Sequence, residues 1–248
     1  MQTKEVIVVG VHAAEVAVKV HPERILSAYV EQDLHSKPIE ALLAILKERN
    51  IAVDKAKPET LDKLSQGVVH QGICLRVKIP YFSEMDLLEM LRNKERPSLT
   101  LILDGVHNPH NLGACLRSAE SFGVDAVVVP SHQTVGLTPA VSKSACGAEQ
   151  LIPLVQVSNL VRFIENLKQL NVWIAGLSAD ATKYLHQLDV SCSLALVMGQ
   201  EGRGLRNLTE SSCDYLVKIP MMGQTANLNL SVATGIGLYE IARQRFVV

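Results

Sequence analysis

The sequence predicts an α/β protein with a mainly parallel sheet. Runs rich in Val, Ile and Leu alternate along the chain with segments whose apolar residues recur at helical spacing. Strands of this composition, when helices separate them, form parallel sheets that helices cover on both faces. At 248 residues the chain is long enough to bury a sizeable core, in one large domain or in two modest ones.

The first α/β unit is small and is predicted to span residues 1–80. Its strands are predicted at Glu5–Val9, Ile25–Val30, Ile51–Val53 and Ile73–Val77. Its helices are predicted at His12–Val20, Pro38–Arg49 and Glu59–Gln66.

Residues 81–97 are predicted to be a linker. They carry a short amphipathic segment, Met85–Leu91, then a charged patch, Arg92–Arg96, and then Pro97. Prolines and charges between two regular units are typical of a connection rather than of a core element.

The second α/β unit is predicted to span residues 98–248. Its strands are predicted at Leu99–Leu103, Ala126–Val129, Ile152–Val157, Val172–Gly176, Leu194–Met198 and Tyr215–Ile219. Its helices are predicted at Leu112–Phe122, Pro139–Cys146, Asn159–Leu170, Leu205–Ser211 and Ser231–Arg245. The last helix is apolar on more than one face, which favours packing against a partner and therefore a homodimer.

Composition excludes some classes of protein. The chain has 24 Lys and Arg against 25 Asp and Glu, so any contact with nucleic acid must come from a local patch. Its five cysteines form no CxxC pair, which favours a reducing compartment over disulfides or zinc. With no signal peptide and no membrane-spanning run in the sequence, we expect a cytoplasmic protein without membrane contact.

Three polar loops lie where a predicted strand passes into a helix. They are residues 104–117, residues 199–204 and residues 218–233, and the last holds Asn227, Asn229 and Ser231. Such loops offer backbone groups beside amide and hydroxyl side chains, which can hold a polar ligand and orient a hydroxyl. Ligands of parallel sheets bind beyond the carboxyl ends of the strands. We therefore expect the three loops to form one composite site.

The glycines of residues 199–204 do not form a dinucleotide fingerprint. Their order is G-x-x-G-x-G rather than G-x-G-x-x-G, and Glu201 would repel a pyrophosphate. A neutral or cationic ligand suits this loop better. Taken alone, however, the loop is better explained as a tight turn that needs positive φ.

Arg117 follows Asn111 on the predicted helix. Taken singly, Asn111 suits a helix cap and Arg117 an ordinary surface charge. The alternative is that the Arg117 guanidinium reaches back over the loop as a fork for a phosphate or a developing oxyanion. His107 and His110 are not favoured as metal ligands, since Asp104 is the one ligand-type neighbour beside their proline turn.

Three motifs carry a resemblance to a known family. They are Asn108–Gly113 with Arg117–Ala119, Leu196–Gly204, and Ile219–Met221 with Leu228–Ala233. In this order they resemble the SpoU (TrmH) class of the SPOUT methyltransferase superfamily, over residues 98–245. Nearer the amino terminus, Gly10–Ala13 and Ser65–Gly72 are similar to that family's N-terminal domain, which resembles the ribosomal protein L30e fold.

The resemblance implies a fold and an activity. It implies a SPOUT domain at residues 98–248, whose chain threads a trefoil knot, and an RNA substrate-binding domain at residues 1–80. It implies S-adenosylmethionine as the cofactor and a homodimer with the site at its interface. The implied reaction is methyl transfer to a ribose 2′-hydroxyl of RNA, at a guanosine of 23S rRNA. DNA lacks that hydroxyl, so it is not expected to be a substrate.

The resemblance also assigns the cofactor-binding residues by position. Gly199, Ile219 and Leu228 are expected to hold the cofactor through backbone groups, with Met221 and Asn227 beside them. One departure from the family is Asn227, because the family usually has a serine there. An amide donates and accepts hydrogen bonds, but it cannot act as a hydroxyl.

The expected catalytic residues are Asn111, Arg117, Glu201 and Asn229. Arg117 would bind the substrate phosphate and stabilise the emerging alkoxide, while Asn111 and Asn229 would orient the hydroxyl. Glu201 would fix Arg117 or the loop. The reaction requires no metal, because positioning and electrostatics supply most of the acceleration.

Two other functions are compatible with the sequence. The first is an RNA-binding protein without methyltransferase activity, which Asn227 keeps open. The second is a nucleotide-binding α/β enzyme of unrelated chemistry, which the missing phosphate-binding glycine pattern disfavours.

Overall fold

A computed structural model describes residues 3–34, 36–132, 134–225 and 227–246, which form two sheets. The strands of the smaller sheet are β1 (Thr3–Val9), β2 (Ile25–Glu31), β3 (Val53–Ala56) and β4 (Ile73–Pro80). Its helices are α1 (Val11–Val20), α2 (Lys37–Glu48) and α3 (Pro58–Ser65). The strand order is β1-β4-β2-β3, with β4 antiparallel to both neighbours and β2 parallel to β3.

The stretch predicted to be a linker, residues 81–97, contains an ordered helix, α4 (Glu84–Arg92). Ser83 and Asp86 cap its first turn reciprocally, with Asp86 N–H donating to Ser83 Oγ and Ser83 N–H donating to Asp86 Oδ2. Leu87 and Leu91 of this helix are buried in a core cluster of the larger sheet. The helix is therefore part of the larger unit's packing, and the assignment of residues 81–97 as a linker between two domains stays a prediction.

Within the described ranges, the larger sheet has seven strands. They are β5 (Leu99–Leu103), β6 (Ala126–Pro130), β7 (Leu154–Val157), β8 (Trp173–Leu177), β9 (Lys183–Tyr184), β10 (Leu194–Met198) and β11 (Tyr215–Lys218). Their order is β7-β6-β5-β10-β8-β11-β9, and each described pair of neighbours is parallel. The predicted α/β class with a mainly parallel sheet is therefore confirmed. The trefoil knot and the L30e-like fold stay predictions.

Helices cover both faces of this sheet. They are α5 (Pro109–Ser121), α6 (Pro139–Ala145), α7 (Leu160–Gln169), α8 (Asn207–Ser211) and α9 (Leu230–Phe246). Leu101 and Leu103 of β5 belong to the cluster that α5, α6 and α9 complete, whereas Ile102 belongs to the cluster that α4 and α7 complete. Successive side chains of a strand point to opposite faces, so a wholly apolar strand needs both layers.

The strand order reverses between β5 and β10. After β5 the chain builds β6 and β7 on one side of the sheet, and it later returns to place β10 on the other side. Such a switch point leaves a crevice beyond the carboxyl ends of the two strands, where ligands of parallel sheets bind. The loops that begin at Asp104 and Gly199 open into this crevice.

The two units are in contact through α6 and the turn that follows it. Gln150 donates to the Ala13 carbonyl at 3.3 Å, and Lys143 donates to Gln71 Oε1 at 2.5 Å. An added Cβ at Gly147 would lie 2.6 Å from Val16 Cβ in α1. This close approach orients the small sheet on the larger unit.

The carboxyl group of Glu149 lies beside this junction and titrates abnormally. Burial raises its pKa to about 7, although Ser142 Oγ donates a hydrogen bond to Glu149 Oε1 at 2.8 Å. The folded protein therefore keeps a proton that the unfolded chain, with its ordinary pKa of 4.5, releases as pH rises. The contribution of Glu149 to the free energy of unfolding is fully present below about pH 4.5 and is lost as pH rises from about 4.5 to 7.

Replacing Glu149 by Gln should remove this pH dependence. Because the amide stays neutral, the free energy of unfolding of the variant should fall less than that of the wild type between about pH 4.5 and 7. Urea unfolding at several pH values measures this difference directly. Parallel stability curves for the two proteins across that window would contradict the assignment.

The two strands that flank the switch point, Leu99–Leu103 and Leu194–Met198, have the predicted bounds. The edge strand Lys183–Tyr184, in contrast, was not predicted. A two-residue strand is too short to show periodicity. Among the described residues, no helix is both long enough and apolar enough to cross a lipid bilayer.

Candidate functional site

Three side chains from the three polar loops form one hydrogen-bonded network, which we call the Asn–Glu–Asn network. Asn111 Nδ2 donates to Glu201 Oε1 at 2.5 Å. Asn229 Nδ2 donates to the same Glu201 oxygen at 2.8 Å and to Asn111 Oδ1 at 3.2 Å. Asn111 lies 90 positions from Glu201 and 118 from Asn229 in the chain, so the fold, and not local sequence, brings them together.

Asn111 is positioned by the capped start of α5. The Asn108 side chain accepts from the His110 N–H at 2.9 Å, and Pro109 occupies the first helical turn. Gly113 lets this helix approach α6, since an added Cβ would lie 2.7 Å from the Val141 carbonyl oxygen. Asn111 is therefore buried and fixed in orientation at the helix end.

Asn229 is positioned by the start of α9. Its Oδ1 accepts from the Ser231 N–H at 2.9 Å and from the Ser231 hydroxyl at 2.6 Å. The Asn229 oxygen thus acts as a helix cap, while both amide hydrogens point to Asn111 and Glu201. All the hydrogen-bonding capacity of this side chain is used within the protein.

The loop that carries Glu201 is held by a buried carboxylate. Asp104 is fully buried directly after β5, and its Oδ2 accepts from the Arg206 N–H at 3.0 Å. Arg206 Nε lies 3.5 Å from the other oxygen, Asp104 Oδ1. Asp104 therefore ties the loop after β10 to the end of β5. The sequence offers a signal for this role, since a carboxylate that ends a wholly apolar strand must find a partner, but it does not identify Arg206 as that partner.

Gly199 closes the same loop at its other end. Gln200 and Gly204 form an isolated bridge, with Gln200 N–H donating to the Gly204 carbonyl at 2.8 Å. An added Cβ at Gly199 would lie 2.1 Å from the Gly204 carbonyl carbon. The tight-turn interpretation is thus correct for this loop and is compatible with a site.

Replacing Gly199 by Ala should disrupt the loop. The new methyl group would meet the backbone of Gly204, which cannot rotate away as a side chain can. We therefore expect the free energy of unfolding to fall by about 1–3 kcal/mol and ligand binding to be lost. Gly223→Ala is the matched control, because no atom of the described residues lies within 4 Å of its added Cβ. Thermal unfolding of both variants measures the difference, and equal midpoints would contradict the close approach.

The other residues expected to hold a cofactor lie on the loop after β11. Ile219 and Leu228 are half-buried against the core, and Met221 and Asn227 are exposed. Outside the strand ladders, the described residues include no backbone hydrogen-bond partner for Gly199, Ile219 or Leu228. Their role in holding a cofactor through backbone groups stays a prediction. Asn227 makes no hydrogen bond within the described part of the chain.

Arg117 is not part of the network within one chain. It is exposed, and its Nη1 lies 3.4 Å from Cys146 Sγ. Six residues along a helix correspond to about 240° of rotation and about 9 Å of rise, so Arg117 faces away from Asn111. Among the described contacts of one chain, Arg117 neither reaches back over its own loop nor contacts Glu201, so its assignment to the site stays a prediction.

A cavity of about 350 Å³ opens beside the network. Its lining includes His107, Gln200, Glu201, Arg203 and Leu230. A cavity of this size matches the lower range of small-molecule sites. His107, Gln200 and Arg203 were not among the predicted site residues, although all three lie in the loops that the sequence singles out.

The nearby thiol of Cys115 is not a nucleophile. Burial raises its pKa to about 12, and its Sγ donates to Thr234 Oγ1 at 3.5 Å. This contact joins α5 to α9. The hydrogen bond contributes to holding Asn111 and Asn229 in fixed positions relative to each other.

Comparisons with known proteins give one consistent result. Residues 98–239 match the model of the SpoU rRNA Methylase family, and residues 7–83 match the model described as RNA 2′-O ribose methyltransferase substrate binding. The 23S rRNA (guanosine-2′-O-)-methyltransferase RlmB of Pseudomonas putida is 43% identical over 96% of this chain and 96% of its own. The RlmB of Haemophilus ducreyi is 45% identical over 95% of this chain and 96% of its own. The fold matches the SpoU methyltransferase AviRb from Streptomyces viridochromogenes in complex with AdoMet, with TM-score 0.81, 24% identity, and 98% and 91% of the two chains covered.

Proposed function

This chain belongs to the SpoU rRNA methylase family, and we propose that it transfers a methyl group from S-adenosylmethionine to the ribose 2′-hydroxyl of a guanosine in 23S rRNA. The observation that carries this proposal is the Asn–Glu–Asn network, in which the three motif loops meet at the carboxyl ends of the strands. With the family established, the methyltransferase function is favoured over an RNA-binding protein without activity. A ribosomal RNA substrate implies action in the cytoplasm.

The loops around Gly199 suit S-adenosylmethionine. This cofactor supplies an electrophilic methyl group on a positively charged sulfur. Glu201 provides a carboxylate beside the cavity, where a cation is favoured. The backbone groups of Gly199, Ile219 and Leu228 suit the polar edge of an adenine and an amino acid group. Met221 and Asn227 lie on the same loop, and we assign them to the outer wall of the cofactor site.

Two groups of the network without a described hydrogen-bond partner are suited to binding the ribose hydroxyl. Asn229 is saturated, so it positions its neighbours rather than the substrate. The uncommitted groups are the second N–H of Asn111 and Glu201 Oε2, for which the described residues provide no hydrogen-bond partner. We assign Glu201 Oε2 to accept a hydrogen bond from the 2′-hydroxyl and Asn111 to donate one to its oxygen. The hydroxyl is then oriented for in-line attack.

Arg117 completes the site from a second copy of the chain. Its guanidinium stays protonated, so it binds the substrate phosphate and stabilises negative charge on the attacking oxygen. Its neighbour Ser118 lies against Gly235 of α9, with 3.6 Å between Ser118 Oγ and an added Cβ. Arg117 therefore stands beside the helix that we assign to the dimer interface.

An apolar stripe on α9 supports a homodimer. Val232, Ile236 and Tyr239 are 50%, 39% and 55% exposed and follow each other at helical spacing. Phe122 extends the stripe, since its ring packs edge-on against Tyr239 with centroids 6.1 Å apart. A contiguous exposed apolar surface of this kind marks a protein interface. It matches the apolar outer face predicted for this helix.

Replacing Ile236 by Glu should dissociate the dimer and remove activity. The new charge would be buried without a partner at the centre of the stripe. Leu208→Glu on α8 is the matched control, because Leu208 is 73% exposed and lies outside the stripe. Sedimentation analysis should give a monomer for the first variant and a dimer for the second. A dimer in both would exclude this surface as the interface.

The reaction itself is tested with unmodified 23S rRNA and S-adenosylmethionine labelled in the methyl group. Label should enter the RNA and appear as 2′-O-methylguanosine after nuclease digestion and mass spectrometry. DNA of the same sequence should stay unlabelled. Binding of the cofactor without transfer to any 23S rRNA guanosine would contradict the proposal.

A further inference from the structure

Aromatic rings and lysines lie on both faces of the seven-stranded sheet at its free edge, because Lys183 and Tyr184 follow each other in the edge strand and point to opposite faces. Trp173 packs on Tyr215 with ring centroids 5.5 Å apart, and Lys183 Nζ lies 5.3 Å from the Tyr215 centroid. Lys218 Nζ lies 5.2 Å from the centroid of Tyr184. We call this set the edge track, and its members are Trp173, Lys183, Tyr184, His186, Tyr215 and Lys218.

The edge track leads toward the candidate site. Lys183 and Tyr184 form the edge strand β9 and pair with Val217 and Lys218 of β11. Lys218 directly precedes Ile219, where the cofactor loop begins. Trp173 begins β8. The register of β8 and β11 places it about five residues, or roughly 16 Å, from Lys218 in the direction of the amino-terminal ends of the strands. Lys183, Tyr215 and Trp173 therefore extend along one face toward the amino-terminal end of the sheet, whereas Tyr184 and Lys218 lie on the other face, at the end at which the site opens.

The rings in the track are stacked and partly open to solvent. The Tyr184 and His186 rings are nearly parallel, with an interplanar angle of 9° and centroids 5.5 Å apart. Trp173, the single tryptophan of the chain, is 45% exposed. Stable cores bury such rings, so stacked rings at an exposed edge are suited to binding flat ligands.

The lysines of the track have no acidic partner. Within the described residues, neither Lys183 nor Lys218 forms a salt bridge, whereas nearby Lys168 is paired with Asp214 at 2.7 Å. Both ammonium groups are held over aromatic rings instead. They are therefore available to an anion.

We propose that the edge track binds single-stranded RNA that flanks the methylated nucleotide. Bases would stack on the exposed rings, and the lysines would contact phosphates, which is the combination that single-stranded nucleic acid selects. Lysines on an edge strand can also prevent the sheet from pairing with another chain, but that role does not require stacked rings. The inference rests on the proposed function for the identity of the substrate, and it adds a surface distant from the Asn–Glu–Asn network.

The first test concerns the lysines. The double variant Lys183→Ala with Lys218→Ala should bind a single-stranded segment of 23S rRNA about tenfold more weakly in fluorescence anisotropy. The slope of log affinity against log salt should fall by about 0.7 for each phosphate that the lysines no longer neutralise. The charge-preserving variant Lys183→Arg with Lys218→Arg should bind as the wild type does. An unchanged slope in the alanine variant would overturn the proposal.

The second test concerns the rings. Tyr184→Ala should weaken binding about tenfold, whereas Tyr184→Phe should retain it because the ring remains. Tyr81→Ala is the matched control, since Tyr81 is 41% exposed but lies outside the track. In steady-state kinetics, KM for the RNA should rise while kcat at saturating RNA stays at the wild-type level. If Tyr184→Ala lowers the melting temperature, Tyr184→Phe and the lysine pair still decide the result.

Failure of the track and failure of the proposed function give different results. If the wild-type protein does not methylate 23S rRNA, the proposed function fails. If the wild type methylates the RNA and the track variants bind and methylate it equally well, the edge track alone is refuted. Stronger binding of a duplex than of a single strand, unaffected by the ring variants, would also refute it.

Discussion

Replacing Asn229 by Ala should lower kcat for methyl transfer by about 10²–10³-fold. The side chain donates to both Asn111 and Glu201, so its loss leaves Glu201 held by Asn111 alone and less fixed toward the ribose hydroxyl. The same change removes the oxygen that caps α9 through Ser231, which costs about 1 kcal/mol of stability. Transfer of labelled methyl to 23S rRNA and thermal unfolding measure the two effects.

The variant Asn229→Ser separates catalysis from helix capping. Serine keeps a capping oxygen but lacks the two amide hydrogens, so stability should stay near that of the wild type while activity falls as far as in the alanine variant. Calorimetry should give the same affinity for S-adenosylmethionine in all three proteins, because the side chain positions Asn111 and Glu201 and is not assigned to the cofactor. Near-normal turnover by Asn229→Ser would show that the network is structural.

Replacing Arg117 by Ala should abolish transfer while cofactor binding is retained. The guanidinium is the one cation assigned to the phosphate and to the developing charge, and it stabilises the transition state rather than the bound cofactor. Arg117→Lys should recover little activity, since an ammonium lacks the planar fork. Turnover of Arg117→Ala above about a tenth of the wild-type rate would contradict this role.

Mixing two inactive variants tests whether Arg117 acts across the dimer. Arg117→Ala has an intact network, and Asn229→Ala has an intact arginine. A mixed dimer of the two contains one complete site only if the arginine comes from the partner. Equal mixing with free exchange should therefore restore about a quarter of the wild-type rate. No recovery, with mixed dimers confirmed by mass spectrometry, would place Arg117 in the site of its own chain.

The pattern of apolar residues was sufficient to predict the class of fold. Strands such as Leu99–Leu103 and Leu194–Met198 are wholly buried, so their composition is dictated by the layers on both faces. Short or partly exposed elements leave no such signature. The edge strand Lys183–Tyr184 is therefore invisible in the pattern, and the sequence predicts a linker where α4 buries Leu87 and Leu91.

The candidate site was predictable as three loops but not as a geometry. Asn111, Glu201 and Asn229 are singled out by the sequence, and their mutual hydrogen bonds follow from the β5 and β10 switch point. The role of Asp104 needs Arg206, which lies 102 residues away. Pairings across such distances depend on the packing of whole layers.

The sequence by itself determined the composition of the loops, because glycine, asparagine and proline act on the backbone within a few residues. It also determined the apolar runs that become the buried strands. Only the tertiary structure decided that Asn229 donates to both Asn111 and Glu201, that Arg117 contacts Cys146, and that lysines and rings lie at one edge of the sheet. Those arrangements join residues distant in the chain, and they depend on the strand order of the folded sheet.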